Sequence, residues 1–245
     1  MNDLLKESEA LAATFPTPLP TGISSVAYTI QDPDYGLSSV QRQFRPHLKR
    51  GAAHCEIRSL SWKELRDDGL EVNRDTARQR NQPNANCANA KCWAEFCDAV
   101  RNHEQIEVIG CLVDGTIAAF IVAWMRENRC DGLLIHHTRK FAKQSPSHAI
   151  MHGFARTIIS CPEIDLVCVG RDMIPQQASL GRFKRHAGYD RTPIQVGVVI
   201  HPIWNRLLTH PWSRVGFRRL RQALGHRINS IENSQVLDAA ASTEI

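Results

Sequence analysis

The 245-residue sequence has no basic start followed by an apolar core; it opens MNDLLKESEALAATFP. The pattern of a secretory leader is missing, so the expected compartment is the cytoplasm. Long apolar runs are missing too. The longest, Ile117 to Met125, holds nine residues, where crossing a bilayer as a helix takes about 20. Neither sign of charge dominates: 30 Lys and Arg stand against 25 Asp and Glu, a net +5. That balance favours anionic ligands in general and does not by itself indicate nucleic acid. There is no internal repeat. Zinc-type cysteine spacing is also absent. Among eight scattered cysteines, Cys87, Cys92 and Cys97 are five apart, with no His-x3–5-His partner nearby. No metal is therefore expected. Cys111 and Cys168 sit inside apolar runs and read as reduced core thiols, not as a disulfide framework.

What is there is an ordinary globular composition, 42% apolar and 22% charged, on a chain long enough to bury a substantial core. Residues 1–21, interrupted by Pro16, Pro18 and Pro20, are expected to be a flexible arm. Residues 26–31 predict a weak strand, followed by a turn at Asp32-Pro33-Asp34-Tyr35-Gly36. A basic helix is expected over 37–50, broken or kinked near Pro46, and a short strand over 55–60. Ser61 and Glu64 form a capping box. The helix it opens is expected to reach about Asp67, with a second helical stretch over 72–80. A polar loop covers 81–89. Beyond it, Trp93, Phe96, Cys97 and Val100 share one helical stripe.

Residues 105–113, 116–126 and 131–138 predict a three-stranded antiparallel meander, its first turn marked by Asp114-Gly115. Ser145 with Pro146 opens a helix that runs to about Ser160. A buried strand at 164–170, a helix at 175–187 and a strand at 194–200 follow. This order predicts an α/β (α+β) fold with a central mixed, mostly antiparallel sheet flanked by helices, in one domain over 22–202. Residues 203–228, with Arg206, Arg214 and Arg218 among Trp204, Trp212 and Phe217, predict a basic helical extension. Residues 229–245 read as a disordered tail.

The element order, with the hairpin VDGTIAAFIVAWMREN, resembles the GNAT acyltransferase superfamily. The run ASLGRFKRHAGY at 178–189 is similar to the Ser-Leu-x-x-Phe-Lys-x-x-x-Gly stretch of its FemAB-like branch, which includes peptidoglycan aminoacyltransferases. Asn73-Arg74-Asp75-Thr76-x-Arg78-Gln79 looks like a signature of single-domain members. The resemblance spans about 53–200. It implies an N-acyltransferase working by direct transfer, with no covalent enzyme intermediate. Its small-molecule partners would be a thioester donor such as acyl-CoA, acetyl-CoA first, and an amine on a sugar or peptide precursor. Polysaccharide or cell-envelope biosynthesis is the implied setting. GNAT enzymes hold the donor pyrophosphate at Arg/Gln-x-x-Gly-x-Gly/Ala, where a strand meets a helix. Here the matching stretch is Gln144-Ser145-Pro146-Ser147-His148-Ala149; Ser147 replaces the central glycine and Pro146 removes one donor. FemAB-like proteins lack the motif, and some use aminoacyl-tRNA. The resemblance assigns Gln144, Ser145, Ser147, Phe183 and Lys184 to the donor.

Acyl transfer to an amine needs a neutral amine, a polarised carbonyl and a stabilised leaving group. The resemblance implies a strand N–H for the carbonyl, on the strand that ends in His136 and His137. Either imidazole could deprotonate the amine, although neighbours on a strand face opposite sides, so at most one faces a cleft. Lys184 is a candidate to hold phosphate or to stabilise developing charge. Tyr189 is a candidate acid for the departing thiolate. Asn73, Arg74, Asp75, Thr76, Arg78 and Gln79 are candidates for an acceptor site, Arg78 for its anionic group. Two other readings stay open: a non-catalytic GNAT-like binding domain, and a nucleic-acid or membrane-surface contact through 203–228.

Overall fold

A computed structural model describes residues 12–17, 23–82, 85–172 and 178–200. The expected extension at 203–228 and tail at 229–245 lie outside the described residues. The chain divides into two compact units.

The larger unit comprises Tyr28–Gly170 and Ala178–Arg191. Its strands are β3 (Glu56–Ser59), β4 (Ile106–Val113), β5 (Thr116–Arg126), β6 (Arg129–His137) and β7 (Leu166–Arg171). They lie in the order β7-β6-β5-β4-β3. Three of the pairings are antiparallel and β6–β7 is parallel, as the sequence predicts. The helices are α1 (Arg45–His54), α2 (Trp62–Gln79), α3 (Ala90–Val100), α4 (Pro146–Ile159) and α5 (Ala178–His186).

Strand alternation sorts the apolar residues into two layers. Ile109, Cys111, Ile121 and Ala123 face one core with Leu48 of α1 and Ile150, Met151 and Phe154 of α4. Val108, Leu112, Phe120 and Val122 face the other with Leu65 and Val72 of α2 and Trp93 and Cys97 of α3. Ala118 through Ala123 are fully buried. Covering both faces of β5 is why its sequence is continuously apolar rather than alternating.

Two helix boundaries differ from expectation. Pro46 does not kink a helix; it sits in the first turn of α1, where the missing N–H costs no hydrogen bond. The two helical stretches expected on either side of 68–71 are one helix of 18 residues. Gly69 lies within the expected break. In the fold its missing Cβ admits Leu65 and Trp93, whose atoms would lie 2.9 and 3.4 Å from an added methyl. The capping box holds as expected: Glu64 N–H donates to Ser61 Oγ at 3.2 Å, and Ser61 N–H donates to Glu64 at 2.8 Å.

The described residues of the smaller unit are 12–17, 23–27, 171–172 and 192–200. Here β1 (Ala12–Thr17) pairs antiparallel with the end of β8 (Asp190–Ile200), Ala12 opposite Ile200 through Thr17 opposite Gln195. On the other side of β8 lies β2 (Ile23–Ile30). Residues 12–17 are thus a strand and not part of a flexible arm. Pro16 is compatible with it because β1 is an edge strand, where alternate N–H groups need no ladder partner. No described helix is long and apolar enough to cross a membrane.

Candidate functional site

The parallel pairing of β6 with β7 is short. It joins Arg129, Cys130 and Asp131 to Leu166, Val167 and Cys168, yet β6 continues to His137 and β7 to Arg171. The β5–β6 register shifts at the same place: Ala123 lies opposite Gly132 and Val122 opposite Leu134. Leu133 is the extra residue of a β-bulge, and its side chain is 48% exposed. A bulge bends its strand and increases its twist. Here it turns β6 away from β7, and the sheet opens between them.

The ladder shows which backbone groups face the opening. Thr138 N–H donates to Ala118 C=O at 2.9 Å, and antiparallel pairs alternate in their bonding. Ile135 and His137 therefore turn their backbone groups away from β5. Most of these groups are met by the end of α2. Thr76 Oγ1 accepts from His137 N–H at 3.1 Å and donates to His137 C=O at 2.9 Å. Gln79 Nε2 donates to the same carbonyl at 3.2 Å, and Arg80 to the Ile135 C=O at 3.2 Å. The Ile135 N–H is the strand donor that faces the gap.

Asp75, from the same polar stretch, completes this clamp and is held by it rather than free to meet an acceptor. Its carboxylate accepts from Arg139 N–H at 2.6 Å, Thr138 Oγ1 at 2.7 Å and Gln79 Nε2 at 3.3 Å. Burial pushes its pKa up, but these hydrogen bonds outweigh burial and hold it below the usual carboxylate value. Thr76 and Gln79 thus hold β6 in place and are not poised as acceptor ligands. Asn73 is fully buried beneath β6. Arg74 is tied to Glu71 and to the Ala88 C=O. Among the acceptor candidates, Arg78 is the exposed one. Replacing Thr76 by valine keeps the shape and removes both bonds to His137. We expect it to cost about 1–3 kcal/mol, read as a lower urea midpoint. Thr76→Ser should recover most of the loss, and unchanged midpoints in both variants would mean the clamp is dispensable.

The two histidines separate as strand neighbours must. His136 is 3% exposed, its Nδ1 is 2.5 Å from Asn73 Oδ1, and its ring meets Phe120 edge-on at 5.5 Å. Burial, with Arg80 and His137 adding to it, lowers its pKa to about 4. It is a neutral core residue, which corrects its assignment as a base. His137 is half-buried, and its pKa is also lowered, by burial first and then by Arg80. It remains the candidate base.

Tyr189 is likewise reassigned. Its hydroxyl donates to Met151 C=O at 2.9 Å, and burial raises its pKa well above the ordinary value. A group so enclosed cannot meet a leaving thiolate. Lys184 behaves differently from a solvated surface lysine: it is 6% exposed, and its Nζ lies 4.7 Å from the centre of the Tyr28 ring. Gly170, near the end of β7, has φ +81°, and a Cβ there would lie 3.9 Å from that Nζ. The glycine leaves the ammonium close to the β7 side of the gap. Phe183 faces inward, on Phe44 at 5.5 Å and His148 at 5.1 Å.

The stretch Gln144–Ala149 does not form a pyrophosphate cradle. Ser145 is buried with φ +61°, its N–H donates to Ala142 C=O, and its own carbonyl accepts from the His148 and Ala149 N–H groups at 3.1 Å each. The Gln144 carbonyl accepts from the Cys55 thiol at 3.6 Å. Pro146 has no N–H, which leaves that of Ser147 in the first turn of α4, and an anion cradle needs several converging donors. His148, stacked on His47 at 4.2 Å and against Phe44 at 4.6 Å, packs aromatic rings around this helix start.

No family model matches the sequence, and no curated protein matches it. Solved structures do. FemX superposes with a TM-score of 0.60 at 9% identity, over 84% of this chain and 70% of that one. A conserved protein of unknown function from Bacteroides thetaiotaomicron superposes with a TM-score of 0.52 at 12% identity, over 80% of this chain and 64% of that one. At such identities the likeness is one of fold. The chain shares the fold of FemX, which is the fold that its sequence resemblance implies.

Proposed function

We propose that this chain is an N-acyltransferase that moves an acyl group from an activated ester or thioester to an amine of a sugar or peptide precursor. The observation that carries this reading is the gap between β6 and β7 at the Leu133 bulge, with Lys184 beside Gly170 near its β7 side. A donor carbonyl entering the gap meets the Ile135 N–H. As the amine nitrogen bonds to the carbonyl carbon, negative charge grows on the oxygen. The Ile135 N–H and the Lys184 ammonium stabilise that charge. His137, neutral near pH 7, takes the proton from the amine. The bond from carbon to the leaving oxygen or sulfur then breaks, and solvent protonates the departing atom. The diphosphate of acyl-CoA finds no cradle at 144–149.

The test is a panel of donors, acetyl-CoA and aminoacyl esters of RNA, each offered with amino-sugar and peptide amines and followed by mass spectrometry of the acceptor. Amide formation with at least one donor, lost in His137→Ala, is the expected outcome. No product from any pairing, with no donor shifting Tm, would favour a non-catalytic binding domain.

A further inference from the structure

On the α1–α4 side of the sheet, away from the strand gap, lies an open groove of about 770 Å³. Small residues make it. Gly51 of α1 meets Ala149 of α4 so closely that an added Cβ would lie 2.8 Å from the Ala149 methyl. Ala52 and Gly153 continue the seam, and Leu37, 60% exposed, stands at its mouth. The volume falls in the range of small-molecule sites, about 300–1,000 Å³.

The lining has a one-sided charge. Arg42, Arg45, Lys49 and Arg156 border the groove, and no Asp or Glu does. None of the four has a carboxylate within ion-pair distance among the described residues. The chain has enough acids to pair nearly all its cations, 25 against 30, and ion pairs are common elsewhere on this unit. Four cations around an apolar trough without one acid thus form a local field that selects anions. His152, also in the wall, has its pKa lowered by burial and by Arg156. Its buried Nε2 has no partner among the described residues.

We infer that this groove is a binding site for a monomeric single-chain anionic amphiphile, a carboxylate or phosphate monoester carrying one long alkyl chain. The chain would lie along Gly51, Ala52, Ala149 and Gly153, and the anionic head on Arg42, Lys49 and Arg156. A simple inorganic anion would leave the apolar trough empty, and a neutral alkane would leave the cations unmatched. The site is separate from the strand gap, so it does not depend on the acyl-transfer reading.

The experiment is calorimetric titration of the full chain with dodecanoate and dodecyl phosphate below their micelle concentrations. Dodecyltrimethylammonium, inorganic phosphate and anionic phospholipid vesicles are the comparison ligands. Both single-chain anions are expected to bind saturably, and the cationic chain and inorganic phosphate are not. Arg42→Glu with Lys49→Glu should weaken binding at least tenfold, and Ala52→Trp, which fills the trough at an exposed position, should abolish it. Equal binding of the cationic chain would overturn the inference, as would undiminished affinity in both variants. Binding to vesicles without binding to monomers would also overturn it, making this face a membrane contact instead.

Discussion

Lys184→Met is expected to lower kcat/KM for acyl transfer by about 10²–10³-fold while the chain stays folded. The size is that of removing one preorganised donor from an oxyanion site. The ammonium is 6% exposed and lies over the Tyr28 ring. It is therefore held in surroundings where its field is screened less than in water. Methionine keeps the length and the contact with the ring. The kinetic loss should be far larger than any accompanying change in Tm accounts for. Lys184→Arg should not restore the rate, because a guanidinium is larger and planar where Gly170 leaves room beside a compact ammonium. The loss should fall on kcat more than on KM if the charge acts in the transition state. A Tm that drops in step with activity would mean that Lys184 only supports the fold.

The meander, the capping box, the Pro146 start and the buried strand at β7 were legible because each has a local chemical cause. Asp114-Gly115 takes a turn with positive φ at both residues, and Ser61 with Glu64 satisfies orphan N–H groups. The candidate site was legible only in part. Lys184 stands out through its resemblance to a known motif. Thr76 and Gln79 stand out as polar residues on a helix, yet their role needs the β6 edge that they cap. The Leu133 bulge leaves one mark in sequence, Gly132 inside a strand pattern, and that mark does not say against which partner the register shifts. Register is a property of two strands, and the pattern of one does not contain it. Gly69 misleads for a related reason: its meaning lies in what packs against it, Trp93, 24 positions further on.

Stability is expected to fall steeply as pH drops from about 6.5 toward 4. His136 and His148 each have pKa values lowered to about 4, in both cases by burial first and by neighbouring positive groups second. In the unfolded chain each titrates near its ordinary value of about 6.5. Above that, both states hold the rings neutral and the contribution is complete. Below it, the unfolded chain binds protons that the folded chain refuses, so stability is lost as pH falls toward the folded value. The slope is about 1.4 kcal/mol per pH unit for each fully shifted ring. The depressed carboxylates act lower: Glu64, held down to about 2 first by the Arg58 side chain and then by Ser61, gives up its contribution only below about pH 4. Urea midpoints at pH 7.5, 6 and 5 read the histidine window alone, above the carboxylate one. His148→Phe removes one titrating ring while keeping an aromatic group beside Phe44, His47 and Phe183. The variant should match the parent near pH 7.5 and exceed it by about 1–2 kcal/mol at pH 5. A midpoint that stays constant from pH 7.5 to 5 would show that these rings take up protons in the folded chain, and with them that the helix start at Ser145 is open to water.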